Sequence, residues 1–472
     1  MMTIFQSSRG ASHRIVRTSA GALKALPVAA FLLAASQAGP AGATGCGPAG
    51  SVAIDGGSVR NSTSISVSAD GGVAASDASG GNGNVALSVR GVAAAGNGGV
   101  AASSANGGMI EFGTIDSGDN AGNTISVAAS GSGCRVAASN VAIDGGSVRN
   151  ETTIAVSADG GLAVSDASGG NRNAALSLGG IALAGNGGRA DADANGGSIA
   201  IGGVRSGGNR GNVIDVSLHR GYFGGASAVR IDGGTVRNTT TIAINADGGT
   251  ALADASGGNR NAAIAVRGIA LAGNGGIANA SADGGAVVIG DVRSGNNRGN
   301  TIAVSGGNGA VAVNGGSVTN QTTIAVSADG GTAISDASGG DGNLAAAGPG
   351  GIAGAGNGGI ANASADGGAV SIGDIDSGGN RGNEIYVAGG SGPVAIDGGS
   401  VSNQTTIDVS ADGGTAVADA SGGNNNAAGA GAGGIAGAGN GGVANSSADG
   451  GSISIGDIDS GNNSGNVIVV GA

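Results

Sequence analysis

The phrase Val52-Ala-Ile-Asp-Gly-Gly57 returns four times: as Val141-Ala-Ile-Asp-Gly-Gly146, Val229-Arg-Ile-Asp-Gly-Gly234, Val311-Ala-Val-Asn-Gly-Gly316 and Val394-Ala-Ile-Asp-Gly-Gly399. The start-to-start spacings are 89, 88, 82 and 83 residues. A long period repeated this faithfully limits the chain to architectures in which neighbouring copies bury one another's faces. Five units result, 52–140, 141–228, 229–310, 311–393 and 394–472, preceded by a short linker at 44–51.

Within a unit the apolar period is two. In Thr153-Ile154-Ala155-Val156-Ser157 the Ile and Val share one face and Thr, Ala and Ser the other, the pattern of a half-buried strand. Gly-Gly, Asn-Gly and Asp-Gly pairs interrupt these runs every 9–15 residues or so and read as tight turns. The mature repeats have no helical period. The expected fold is all-β, a β-solenoid or parallel β-helix-like stack. Its bore is filled by Ala, Val and Ile, with ladders of Asn and Thr between coils. With a coil of roughly 20–25 residues, each unit would be about four coils and the chain a rod on the order of 80–100 Å long. The alternative is a Gly-rich disordered chain. Gly supplies 107 of 472 residues, about three times its usual share, but the strict alternation argues for strands.

The first 43 residues stand apart. Arg9, Arg14, Arg17 and Lys24 precede an apolar run, Ala25 to Ala35, and the small-x-small triplet Ala41-Gly42-Ala43. The run is too short to span a bilayer, so residues 1–43 read as a secretory signal peptide and the protein as secreted or surface-exposed. Four of the 20 basic residues lie there, leaving 16 against 32 acidic, a net charge near −16. The mature chain has no Lys, a single His (His219) and no transmembrane segment. An acidic chain with scattered Arg is a poor ligand for nucleic acid.

The same inventory argues against catalysis. One His in an unrepeated loop cannot build a triad, and a P-loop needs a Lys. The Asp residues recur as turn formers. No catalytic, cofactor-binding or metal residue is therefore assigned. Calcium is the lesser reading, through Asp374-Ile-Asp376, but the equivalents of Asp376 are Asp116, Arg205, Arg293 and Asp459, and a guanidinium cannot replace a ligating carboxylate. Two features remain. Cys46 and Cys134 precede the first and second units and are candidates for a disulfide in an exported protein. Asn61, Asn150, Asn238, Asn320 and Asn403 begin Asn-x-Ser/Thr triplets at one offset in all five units. They read either as N-glycosylation acceptors or, preferably, as turn residues before a Thr-rich strand. The loop His219-Arg-Gly-Tyr-Phe223 reads as an insertion with a local hydrophobic plug.

Runs such as Ala184-Gly-Asn-Gly-Gly188 resemble, in composition, the Gly-rich surface repeats of high-GC bacteria, in particular the repetitive part of mycobacterial PE-PGRS proteins, here without a PE domain. The resemblance implies an exported, envelope-associated protein without enzymatic activity, and it carries over no functional residue. The reading is a non-enzymatic secreted or cell-surface protein with a structural or adhesive role. Its expected partners are copies of itself, end to end, or envelope surfaces. The alternatives are a calcium-stabilised repeat protein and an ice-binding solenoid.

Overall fold

The computed structural model describes residues 31–32, 51–129, 140–218, 228–306, 309–389 and 392–471. These residues form parallel strands stacked in eight sheets, with no helix among them. Each residue pairs with its equivalent one repeat away: Val141 with Val52 on one side and Val229 on the other, Ile154 with Ile65 and Ile242. One sequence unit is therefore one coil. The expected coil of 20–25 residues is corrected to 82–89. The expected long rod becomes a stack of five coils, about 19 Å tall at the usual strand spacing.

The second coil shows the path. Its strands are Val141–Asp144, Ser147–Ala158, Leu162–Asp166, Ala174–Ser177, Gly180–Ala184, Arg189–Ala194, Ser198–Arg205 and Val213–Leu218. They contribute to sheets 1 to 8 in that order. The first four run outward and the last four return. The core clusters show which sheets face each other: 1 with 8, 2 with 7, 3 with 6 and 4 with 5. The coil is a flattened loop of two walls, closed at a tip between sheets 4 and 5. The twelve-residue strand Ser147–Ala158 alone spans about 40 Å at ~3.3 Å per residue, so the molecule is wider than it is tall.

Side-chain size varies along this loop. Sheets 1 and 8 enclose Ile and Val, among them Ile143, Ile214 and Ile231. Sheets 2 and 7 enclose Ile154, Ile199, Ile201 and their copies. Between sheets 3 and 6, and again between 4 and 5, every buried hydrophobic residue is Ala, joined by the small hydroxyl side chains Ser165, Ser177 and Ser335. The walls narrow towards the tip because only a methyl group has to fit between them.

The Gly-Gly pairs account for the pinching. The expectation of tight turns is corrected at most of them. Asp159-Gly-Gly161 on the outward wall meets Asn195-Gly-Gly197 on the return wall. Gly161 N donates to Asn195 O (2.8 Å), and Gly197 N donates to Asp247 O of the next coil (2.7 Å). A second waist follows, where Gly188 N donates to Ala167 O and Gly170 N to Gly96 O, both at 2.7 Å. A Cβ on Gly197 would lie 1.9 Å from Ala158 O. These glycines are needed for close backbone approach between walls.

A polar partition separates the first chamber from the second. Asn150, Asn209 and Asn212 are completely buried. Asn150 Nδ2 donates to Ser206 O (2.8 Å) and to Asn238 Oδ1 in the next coil (2.9 Å). Asn209 Nδ2 donates to Asn297 Oδ1 (2.9 Å), and Asn212 Nδ2 to Gly233 O (2.9 Å). Across the walls the hydroxyl of Thr152 shares a hydrogen bond with that of Ser117 in the preceding coil, and the hydroxyl of Ser206 with that of Thr240 in the next. Each amide at once satisfies its own coil and the next, which is how polar side chains survive in such a core.

Candidate interaction surfaces

The sequon asparagines form the innermost of these ladders. Asn150, Asn238 and Asn320 are completely buried, and each Nδ2, the atom a glycan would occupy, donates to the next Asn in the column. They lie within the twelve-residue strands of sheet 2, so the expected turn before the strand is corrected to an in-strand position. The folded coil has no room for a glycan at these three. Asn61 and Asn403, at the ends of the column, are half-buried with their Nδ2 donating to Ser117 O and Ser460 O. Cys46, Cys134, His219, Tyr222 and Phe223 lie outside the described residues. So do residues 1–30 and 33–50; Phe31–Leu32 pairs in parallel with Ile125 and Ser126 of sheet 8.

The recurring aspartates are held locally. Asp144 Oδ1 accepts Gly146 N (2.9 Å), Asp166 Oδ1 accepts Ser168 N (2.8 Å), and the copies in other coils do the same. Asp77 accepts both the backbone and the hydroxyl of Ser79, which holds its carboxyl below the usual range. Asp376 Oδ1 accepts Gly378 N (3.2 Å), and the register places Asp116, Arg205, Arg293, Asp376 and Asp459 in one column. Among the described residues no three His, Cys, Asp or Glu side chains converge as a metal-ligand set.

The outer faces carry the remaining chemistry. Sheet 6 presents a shallow groove of about 630 Å³ along the stack, lined by Asp191, Asn279, Asn362 and Asn445 in one column and Asp193, Ser281, Ser364 and Ser447 in the next. Asn279 Nδ2 donates to Asp191 Oδ1 (2.7 Å), and Asn362 and Asn445 continue the ladder at 2.8 and 2.9 Å. Burial pushes the Asp191 carboxyl up, but the bonds from Arg189 and Asn279 and the Arg189 charge outweigh it, so its pKa ends below the ordinary value. At the neighbouring bend, burial followed by the charges of Asp366 and Asp193 raises Asp283. The outer face of sheet 2 holds a second shallow groove, of about 550 Å³, lined by Ser66, Ala155, Ser157, Ala243 and Asp408. The same face carries the column Ser64, Thr153, Thr241, Thr323, Thr406, and Glu151 bridging Arg149 (3.3 Å) and Arg60 (3.5 Å). Among the described residues, outward Thr two residues apart on one strand, the spacing an ice-binding face repeats on each coil, occur only at Thr239 and Thr241.

The lobe at the tip differs from both. Its inward residues are Ala and, in the second coil, Ser177, while Leu176, Leu178, Ile181 and Leu183, and Ile264, Val266, Ile269 and Leu271 in the next coil, point outward. The expected bore filling of Ala, Val and Ile is corrected here, where the Val and Ile side chains face outward. The signal was present in Ile181-Ala-Leu-Ala184, whose alternation is compatible with either face being buried.

No family model matches this chain, and no curated protein or solved structure is significantly similar to it.

Proposed function

We propose that this is a non-enzymatic, secreted or cell-surface structural protein whose copies stack end to end. The observation that carries the reading is the coil-to-coil match itself. All eight sheets continue in register through the five coils, and the pairing rule is the same at every step. The fifth coil presents an open edge of the same kind: Val467, Ile468, Val469 and Val470 are 45–56 % exposed. The first coil of a second copy offers the complementary edge in sheets 1 to 7; in sheet 8 Phe31–Leu32 covers Ile125 and Ser126, and removal of the leader on export would free that edge too. Contact between two different edges of one molecule propagates rather than closes, so it builds a filament. The outer faces, with their columns of Ser, Thr and Asn, favour many weak contacts over one deep site, which suits an adhesive or scaffolding role. Export rests on the leader and on the PGRS-like composition.

The test is electron microscopy with light scattering on the purified chain and on Ile468→Lys. The parent should form filaments and the variant should remain dispersed. Filaments unchanged by Ile468→Lys, or a parent that stays monomeric at every concentration, would refute edge-to-edge stacking.

A further inference from the structure

We propose that the tip lobe of coils 1–3 docks on an anionic lipid surface. In this lobe the usual placement of side chains is reversed. The buried hydrophobic residues between sheets 4 and 5 are Ala alone, with the Ser177 hydroxyl among them. The outside carries Val85, Leu87, Val89 and Val92 in the first coil, Leu176, Leu178, Ile181 and Leu183 in the second, and Ile264, Val266, Ile269 and Leu271 in the third. Leu87 is 74 % exposed, Leu178 50 % and Val266 48 %. A contiguous aliphatic surface of this extent marks an interaction site on a soluble fold.

Charge decides which partner fits. Residues 78–99, 167–188 and 255–276 contain Arg90, Arg172, Arg260 and Arg267 and not one Asp or Glu, in a chain of net charge −12. All four are exposed, and none takes part in an ion pair among the described residues. Arg172 and Arg260 sit in the left-handed region, at φ 58° and 56°, where coils 1 and 4 use Gly83 and Gly342. A long β-unbranched cation is thus kept at a backbone position that favours glycine, which points to a role for its side chain. Arginines fringing an aliphatic surface match lipid acyl chains beneath anionic headgroups. A second copy fits less well, because tip-to-tip contact would oppose these arginines to their own kind. The backbone of the lobe is already paired inside the stack, so docking requires no rearrangement.

The experiment is co-sedimentation of the full chain with vesicles of phosphatidylcholine alone and of equal parts phosphatidylcholine and phosphatidylglycerol. Binding should be at least about tenfold stronger on the anionic vesicles and should weaken with added salt. The double variant Leu178→Asp/Val266→Asp should lose it while keeping the parent's far-UV circular dichroism, since both side chains lie outside the core. Arg90→Glu/Arg267→Glu should bind anionic and neutral vesicles alike. No binding by the parent, binding unaffected by either variant, or a tip-dependent dimer that ignores vesicles would each overturn the proposal. Vesicle binding and filament formation are read separately, so either can fail alone.

Discussion

Replacing Asn238 by Ala removes one rung from the middle of the innermost ladder. Asn238 is completely buried. Its Oδ1 accepts from Asn150 Nδ2 (2.9 Å) and Asn209 Nδ2 (3.2 Å), and its Nδ2 donates to Ser294 O (2.9 Å) and Asn320 Oδ1 (2.9 Å). At about 1 kcal/mol net per bond the four are worth about 4 kcal/mol. The partners keep some contacts: Asn150 still reaches Ser206 O, and Asn209 still reaches Asn297 Oδ1. The expected loss is therefore about 3–4 kcal/mol. Asn403→Ala is the internal control. It makes the same kind of contacts to Asn320 and Ser460, but it is half-buried in the fifth coil, where water replaces what is lost. Its expected cost is about 1 kcal/mol. Urea titration followed by far-UV circular dichroism should show a larger midpoint drop for Asn238→Ala. Equal drops, or the reverse order, would show that the buried ladder does not stabilise the stack.

Three further outcomes follow from the same geometry. Gly197→Ala places a Cβ 1.9 Å from Ala158 O at the first waist and should lower the melting temperature markedly. Gly113→Ala meets nothing within 4 Å and has no left-handed φ, so it should be neutral or raise the melting temperature slightly; equal effects would remove the waist from the account. The raised pKa of Asp283 means that its ionised form is disfavoured in the fold. That penalty is present at neutral pH and disappears as pH falls through the raised value. Asp283→Asn, which restores the residue type of Asn106 and Asn195 at this position, should raise the melting temperature near pH 7 and change it little near pH 3. An effect independent of pH would contradict the electrostatic cause.

Strand content and parallel stacking were legible in the repeats, because Thr153-Ile-Ala-Val-Ser157 alternates in every unit and admits one buried face. The ladders of Asn and Thr were legible as a class. The size of the coil was not. Gly-Gly pairs every 9–15 residues look like corners of a small coil, and nothing local in Asp159-Gly-Gly161 says that its partner is Asn195-Gly-Gly197 across the bore. Missing Cβ atoms serve a positive φ and a close approach equally well, and only the tertiary partner distinguishes them. The position of Asn150 was misread for a related reason. Asn next to Glu and Thr favours a turn by local propensity, and the column of amides above and below it overrides that preference. The reversed tip lobe was hidden by its own alternation. Ile181-Ala-Leu-Ala184 buries Ala because the second waist holds the walls too close for Leu.

The central claim, one repeat per coil, is tested most directly by an engineered cross-link. Thr153 and Thr241 are register partners in adjacent coils, on the outer face of sheet 2. Neighbouring parallel strands place their Cα atoms about 4.8 Å apart, within disulfide range. In a background with Cys46 and Cys134 changed to Ser, Thr153→Cys/Thr241→Cys should oxidise to an intramolecular disulfide, readable as a reductant-sensitive mobility shift and by peptide mass. Coils of 20–25 residues would separate the same two positions by about four strand spacings, roughly 19 Å. Free thiols at both positions after oxidation of the folded chain would contradict the architecture described here.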